Sequence, residues 1–333
     1  MGSSYGYVVF SNISIYRYVL LFDKIQYFQE GVNNMVDIVM VTYNQGEYIA
    51  EAIESVLMQK TNYHYRLIIG DDCSTDNTLA ICKDYESKYP EEIFVLSSQN
   101  NEGLLRNYIK CFIKCDAKYI AFLEGDDYWI DQYKLQNQID LLEKKDNIGL
   151  IHTGYTVLYN ATGEKLELSK KMYKMLRLFQ GNIFNKLFEC NLICAATLIF
   201  RRSIISNIDF EYFINHNCNT IDLIILFQTA LNYETAFIEA NTSVHRVLNT
   251  SVSNSNNFEK IKIFSETKYF IREYFYTKGK TKDFNVSTLK KEMNVFLLLK
   301  ALKLRNYHYV LRNIKDISVI GLIECYKEWK AHN

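Results

Sequence analysis

From Val36 onward the chain alternates short, almost wholly apolar runs with stretches whose apolar residues recur at helical spacing. That alternation is the pattern of a parallel sheet covered on both faces by crossover helices. Residues 36–41 predict the first strand and residues 47–59 the first helix, with Ile49, Ile53, Val56 and Leu57 on one side. Residues 67–70 predict the second strand. Ser74, Thr75 and Asp76 are capping residues before a helix over 78–89, which Pro90 ends. A third strand over 93–96, a helix over 104–115, a fourth strand over 119–123 and a helix over 131–144 with Leu135, Ile139 and Leu142 turned inward complete the series. Residues 36–147 therefore read as an open α/β unit.

The rest of the chain is less regular. Residues 148–159 and 195–200 predict strands, 221–231 a helix and 235–238 a short strand, whereas 169–191 mixes charge and aromatics without a period. Residues 258–330 carry several basic amphipathic helical segments, among them the one with Leu297, Leu298, Ala301, Leu302 and Leu304. Residues 1–35 match no pattern and form an unassigned N-terminal extension. The expected organisation is a main domain over 36–250, divided at 147/148, followed by a basic helical region over 251–333.

Composition supports long elements, since Gly 13 and Pro 1 in 333 residues leave few breakers. Lys+Arg 38 against Asp+Glu 38 gives zero formal charge, which argues against non-specific nucleic-acid binding. The balance conceals an asymmetry: residues 256–333 hold 16 Lys/Arg and 8 Asp/Glu, so the two parts carry +8 and −8. The eight cysteines form no CxxC pair and read as reduced, buried small side chains. The aromatic N-terminal run is broken by Ser11, Asn12, Ser14 and Arg17 and lacks a cleavage site, and no uninterrupted apolar stretch of about 18 residues occurs. A cytoplasmic location is expected, with peripheral contact to the inner membrane face through the basic region left open.

Ligands of open α/β sheets bind outside the carboxyl ends of the strands. Here those ends read Thr42-Tyr43-Asn44, Asp71-Asp72 and Glu124-Gly125-Asp126-Asp127. So many carboxylates on one rim repel unless a cation sits among them, and oxygen donors suit Mg²⁺ or Mn²⁺. Such an ion is commonly completed by substrate phosphates, which points to a nucleotide diphosphate. Neither G-x-G-x-x-G after the first strand nor G-x-x-x-x-G-K-[ST] is present, so dehydrogenase and P-loop chemistry lose ground.

Three strings, residues 36–44 (Val-Asp-Ile-Val-Met-Val-Thr-Tyr-Asn), 68–76 (Ile-Ile-Gly-Asp-Asp-Cys-Ser-Thr-Asp) and 119–129 (Tyr-Ile-Ala-Phe-Leu-Glu-Gly-Asp-Asp-Tyr-Trp), follow in order at separations of about 30 and 50 residues. Together they resemble the family 2 glycosyltransferases of the GT-A fold. The resemblance implies an open, mostly parallel α/β sheet with flanking helices, a nucleotide-binding half over 36–147 and an acceptor half over 148–250. It also implies that Val41, Thr42, Tyr43 and Asn44 lie beside the nucleotide, that Asp72 accepts from the base, and that Asp71 or Glu47 assists. The family's metal signature falls on Glu124-Gly125-Asp126, with Asp126 a ligand of Mn²⁺ or Mg²⁺ and Glu124 standing where an Asp is usual. Asp127 is an alternative ligand and His245 a further one. Arg106 is a candidate contact to diphosphate or ribose. Asp222, at the start of a helix, matches the base that takes the acceptor's proton. Tyr128 and Trp129 are candidates for a stacking wall.

The leading expectation is an inverting, metal-dependent transferase moving a sugar from a nucleotide-diphosphate donor, UDP-linked by resemblance, to a saccharide or lipid-linked saccharide in surface-polysaccharide synthesis. The alternatives are a nucleotide-sugar-binding protein without catalysis, and a membrane- or partner-binding module acting through the basic helices.

Overall fold

The computed structural model of the chain describes residues 35–248, 257–279 and 285–313. The expected N-terminal extension up to residue 34 and the expected helical stretch over 314–330 lie outside these residues. Strands β1 (Val36–Thr42), β2 (Tyr65–Asp71), β3 (Ile93–Ser97) and β4 (Tyr119–Phe122) pair in parallel in the order β3-β2-β1-β4. Helices α1 (Ile49–Leu57), α2 (Thr78–Lys88), α3 (Leu104–Lys114) and α4 (Lys134–Lys144) follow the strands in turn. Every residue of β1 is buried, as a strand covered on both faces requires. Helix α1 starts two residues later than residue 47, because Gln45 O already accepts from both Tyr48 N and Ile49 N.

Register sets the rim. Thr42 pairs with Asp71, so β1 and β2 end level. Beyond the end of β4, Leu123 N donates to Val39 O and Gly125 N to Val41 O, each at 3.1 Å. The segment with Glu124 and Asp126 is thereby laid along the end of β1. A Cβ on Gly125 would stand 2.5 Å from Gln45 Oε1 and 2.9 Å from Ile49 Cδ1, so only glycine fits between the two acids as they lie.

The sheet continues through β8 (Ile199–Arg201), β6 (Ile148–Tyr159), β9 (Glu234–Val247) and the two-residue β5 (Tyr128–Trp129), with β7 (Glu164–Glu167) off its path on β6. β8 is antiparallel to both β4 and β6, and β9 runs parallel to β6. Three sequence expectations change here. Residues 195–200 divide into a 3₁₀ turn over Ala195–Thr197 and the short β8. The strand expected over 235–238 is a 14-residue β9, whose polar stretch Glu239 to Ser243 hides the period; register shifts against β6 break its alternation. The unpatterned 169–191 holds α5 (Lys170–Leu176) and α6 (Lys186–Glu189), ordered by burial of Leu176, Phe179, Leu187 and Phe188 rather than by an amphipathic period.

Helices α7 (Phe210–Asn215) and α8 (Asp222–Asn232) complete the second half. In the basic region, α9 (Phe258–Gly279), α10 (Val286–Lys303) and α11 (Tyr307–Asn313) follow. Phe275 of α9 stacks on Phe227 of α8 at 5.0 Å between centroids, and Ile271 and Tyr269 join the same apolar cluster. Helix α9 is therefore packed onto the second half of the sheet domain.

Gly70 lets α3 lie close on β2. An added Cβ would come within 2.5 Å of Cys111 Sγ and 2.6 Å of Asn107 Oδ1, and Asn107 Nδ2 donates to Gly70 O at 2.7 Å. Gly70→Ala is expected to destabilise the fold by about 1–3 kcal/mol through overpacking. Urea unfolding checks this, and an unchanged midpoint counts against it.

Candidate active site

Two loops frame one side of the site. Asn44 adopts φ 53°, a left-handed conformation that asparagine tolerates, and its Oδ1 accepts from Thr75 N at 2.8 Å. Gln45 N and Gly46 N donate to Thr78 Oγ1 and Asp76 Oδ2, which ties the loop after β1 to the loop after β2. Asp72 is buried, and its two oxygens accept from Glu102 N and Gly103 N, each at 2.8 Å. It thus fixes the turn that leads into α3. A cavity of about 480 Å³ opens between these loops, lined by Val41, Thr42, the exposed ring of Tyr43, Asn44 and Asp72, and also by Glu124, Asp126 and His245.

The acidic segment meets β9 through β5, where Tyr128 pairs with Val244. That pairing brings Asp127 to His245: His245 Nδ1 lies 3.1 Å from Asp127 Oδ2, and Asp127 Oδ1 also accepts from Arg246 N at 2.8 Å. Arg246 is buried between the rings of Tyr48 and Tyr128, donates to Asp126 O at 2.6 Å and pairs with Glu51 at 2.5 Å. The backbone carrying Asp126 is thus held by a guanidinium from another strand.

A second cavity, about 450 Å³, shares Glu124, Thr220, His245 and Phe264 with the first. Its own walls include Asp222, Asn191, Cys194 and Tyr155. Asp222 opens α8, where the helix dipole favours a carboxylate. It accepts from Asn191 Nδ2 at 3.0 Å and from the Thr220 hydroxyl. The Cys194 thiol lies with Asp127 and His245 in a group whose ligand atoms are all within 4.8 Å of one another.

The two cavities adjoin at the acidic segment. A family model described as Glycosyl transferase family 2 matches residues 37–209, more than half of the 333 residues. The chain belongs to glycosyl transferase family 2. Among its relatives in sequence, dTDP-rhamnosyl transferase RfbG of Shigella flexneri is 37% identical over 107 residues, which are 31% of this chain and 36% of that protein. The chain spans between about a third and a half of the curated relatives it matches first. In fold it is similar to S. aureus TarS 1–349 in complex with UDP, at TM-score 0.50 and 16% identity over 80% of each chain. It is also similar to the mannosyltransferase PcManGT from Pyrobaculum calidifontis, in complex with GDP-Man and Mn²⁺, at TM-score 0.53 and 10% identity over 95% of this chain and 87% of the other. No helix among the described residues is long and apolar enough to cross a membrane.

Of the family 2 positions expected from sequence, the structure brings Val41, Thr42, Tyr43, Asn44, Asp72, Glu124, Asp126 and His245 to the first cavity, and Glu124, Asp127, Asp222 and His245 to the second. Gly125 is at the junction as backbone. Asp71 lies buried beneath the loop, where its Oδ2 accepts from Ser74 N. Glu47 is exposed beside Tyr48 and Arg106 turns back to Glu102 O; neither is among the lining residues. Trp129 is corrected: it is buried, donates Nε1 to Ala196 O at 2.9 Å and carries the Lys134 ammonium over its ring, so it forms no wall of either cavity. Sequence reasoning missed Arg246 as the anchor of the acidic segment, Asn191 as the partner of Asp222, and Cys194. The dipeptide His245-Arg246 was the available signal for the first; nothing in the sequence links Cys194 to a residue 67 positions upstream.

Burial, then the charges of Asp126 and Asp127, pushes the Glu124 carboxyl up from 4.5 to about 8. Burial and Asp127 push Asp126 up from 3.8 to about 7. Burial opposes the charged form of His245, but the charge and hydrogen bond of Asp127 together with the charges of Glu124 and Asp126 outweigh it and raise the imidazole to about 9. Crowded carboxylates with an imidazole beside them are donors of the kind that Mg²⁺ or Mn²⁺ takes, and the ligand atoms that lie within 4.8 Å of one another are those of Asp127, Cys194 and His245, a group that does not include Asp126. Glu124, Asp126 and His245 each bind a proton more tightly folded than unfolded. Their stabilising contribution is full below the unfolded values and is lost as pH rises through the folded ones. The metal-free protein is therefore expected to lose melting temperature between about pH 5 and pH 9. A flat or rising melting temperature across that range, followed by scanning calorimetry, contradicts this electrostatic reading.

Proposed function

We propose that the chain is an inverting glycosyltransferase that moves a sugar from a nucleotide-diphosphate donor, a UDP-sugar, to a hydroxyl of a saccharide or lipid-linked saccharide during surface-polysaccharide synthesis. The observation that carries this reading is the pair of cavities that meet at Glu124 and His245, with Asp222 on the wall of the second. A displacement with inversion needs the leaving group and the attacking hydroxyl on opposite sides of the anomeric carbon, and two adjoining cavities supply two sides.

In this reading the first cavity takes the nucleotide. Tyr43 offers a ring face to the base, and Asp72, by holding the 102–103 turn, shapes the floor beneath it. Asp126, with Asp127 and His245, would hold Mn²⁺ or Mg²⁺, whose charge would offset that of the leaving diphosphate. Arg246 keeps Asp126 in position. Asp222 takes the proton of the acceptor hydroxyl; Asn191 and Thr220 orient its carboxylate. The UDP preference rests on the sequence resemblance, and the complex of S. aureus TarS with UDP supports it. Surface polysaccharide as the product is supported by relatives such as the minor teichoic acid biosynthesis protein GgaB of Bacillus subtilis, 30% identical over 139 residues, which are 15% of that protein.

The test is donor binding and hydrolysis across UDP-, GDP- and dTDP-sugars with and without Mn²⁺. One nucleotide sugar bound and slowly hydrolysed in a metal-dependent way is expected. Tight binding with no hydrolysis and no transfer to any saccharide would favour a binding protein on this scaffold.

A further inference from the structure

The second cavity holds two cations that the transfer chemistry leaves unused. Lys268 and Arg272 stand four residues apart on α9, hence on one face of the helix, and both line this cavity and not the first. Among the described residues neither forms an ion pair. Arg272 gives its Nε to Leu187 O at 3.0 Å, and the Lys268 ammonium lies 4.0 Å from the centre of the Phe264 ring. Burial and then the neighbouring Arg272 disfavour the charged form of Lys268, with Asp222 partly offsetting them. Burial likewise pulls Arg272 down, against Cys190 and Glu292. Both side chains are partly buried, and two like charges one turn apart repel each other. For Lys268 the compensating carboxylate in the cavity is Asp222, which in the proposed reaction becomes neutral as it takes up a proton.

We propose that Lys268 and Arg272 form a phosphate-binding subsite on the acceptor side, so that the acceptor carries a phosphate or diphosphate close to the hydroxyl that is glycosylated. The subsite rests on the transferase reading of this cavity. The chemistry favours phosphate: a guanidinium fork binds two of its oxygens, an ammonium adds a point charge, and two adjacent cations match a group of charge beyond −1. The carboxylate of Asp222 in the same cavity orders the ligand. Its anionic end is drawn to α9 and its hydroxyl is left facing Asp222. A neutral acceptor would bring no anion to either cation.

The probe is inorganic pyrophosphate, titrated calorimetrically into the full chain saturated with whichever nucleoside diphosphate binds in the donor panel. The variants are Lys268→Met, which keeps the apolar stem against Phe264, Arg272→Gln, and Arg272→Lys, which keeps the charge. Pyrophosphate is expected to bind the nucleotide-saturated protein, about tenfold or more weakly in Lys268→Met and Arg272→Gln and nearly as well in Arg272→Lys, with nucleotide affinity unchanged. Equal binding by wild type and Lys268→Met overturns the subsite, as does no binding in the presence of nucleotide. Loss of nucleotide affinity in Lys268→Met also overturns it, by assigning the cations to the donor's diphosphate. Lys268→Met alone decides if an Arg272 variant fails to fold. If no nucleotide binds at all, the transferase reading falls separately, and pyrophosphate binding by wild type and variants still reads the cation pair.

Discussion

Asp222→Asn is expected to lower the rate of sugar transfer by about 10²–10⁴-fold, the usual worth of a positioned general base, while nucleotide affinity stays near that of the wild type. The separation follows from the geometry: Asp222 lines the second cavity and not the first, so removing its charge leaves the donor's walls untouched. The amide has nearly the volume of the carboxylate and can still meet the Asn191 and Thr220 partners, which keeps the start of α8 intact. Measured as kcat and nucleotide affinity together, the variant discriminates. A loss of both in proportion would make Asp222 a structural residue at a helix start, and full activity would remove it from the mechanism.

The fold of the first half was legible because both signals it depends on are local. Almost wholly apolar runs such as residues 36–41 fit a strand covered on both sides, and the polar residues after β1 with the acids at the ends of β2 and β4 mark a rim wherever the sheet is parallel. The second half was harder for a physical reason. Strand β9 is stabilised by pairing with β6, whose partner residues lie 85 to 88 places earlier and in part of its length at shifted register, so its own sequence keeps no clean alternation. With its end unread, the contact of His245 with Asp127 could be reached only by resemblance. Cys194 and Lys268 come to the site from an extended segment and from the C-terminal helical region, and neither element carries a motif. Trp129 failed in the other direction, since a residue next to a functional segment can still point into the core.

The site sets stability against activity, and Asp126→Ala separates the two. Transfer is expected to fall by about 10²–10³-fold or more, the scale found when one group that stabilises developing charge is removed. Metal-dependent nucleotide binding should weaken with it, because no side chain among the described residues occupies the carboxylate oxygens of Asp126, whereas both oxygens of Asp127 lie within hydrogen-bond distance of His245 Nδ1. The folded protein without metal should respond in the opposite sense. At pH 8 the wild type must keep Asp126 ionised close to Asp127, and that charge is also the first of those that push Glu124 upward. Taking it away relieves both burdens, so the metal-free variant is expected to be more stable than wild type at pH 8 by roughly 1 kcal/mol, and to lose that advantage near pH 5, where the native carboxyl is already protonated. Denaturant unfolding at the two pH values, set beside the activity loss, tests the idea directly. A variant that is inactive and also less stable at pH 8 would mean that Asp126 holds the loop together rather than holding a place for a cation.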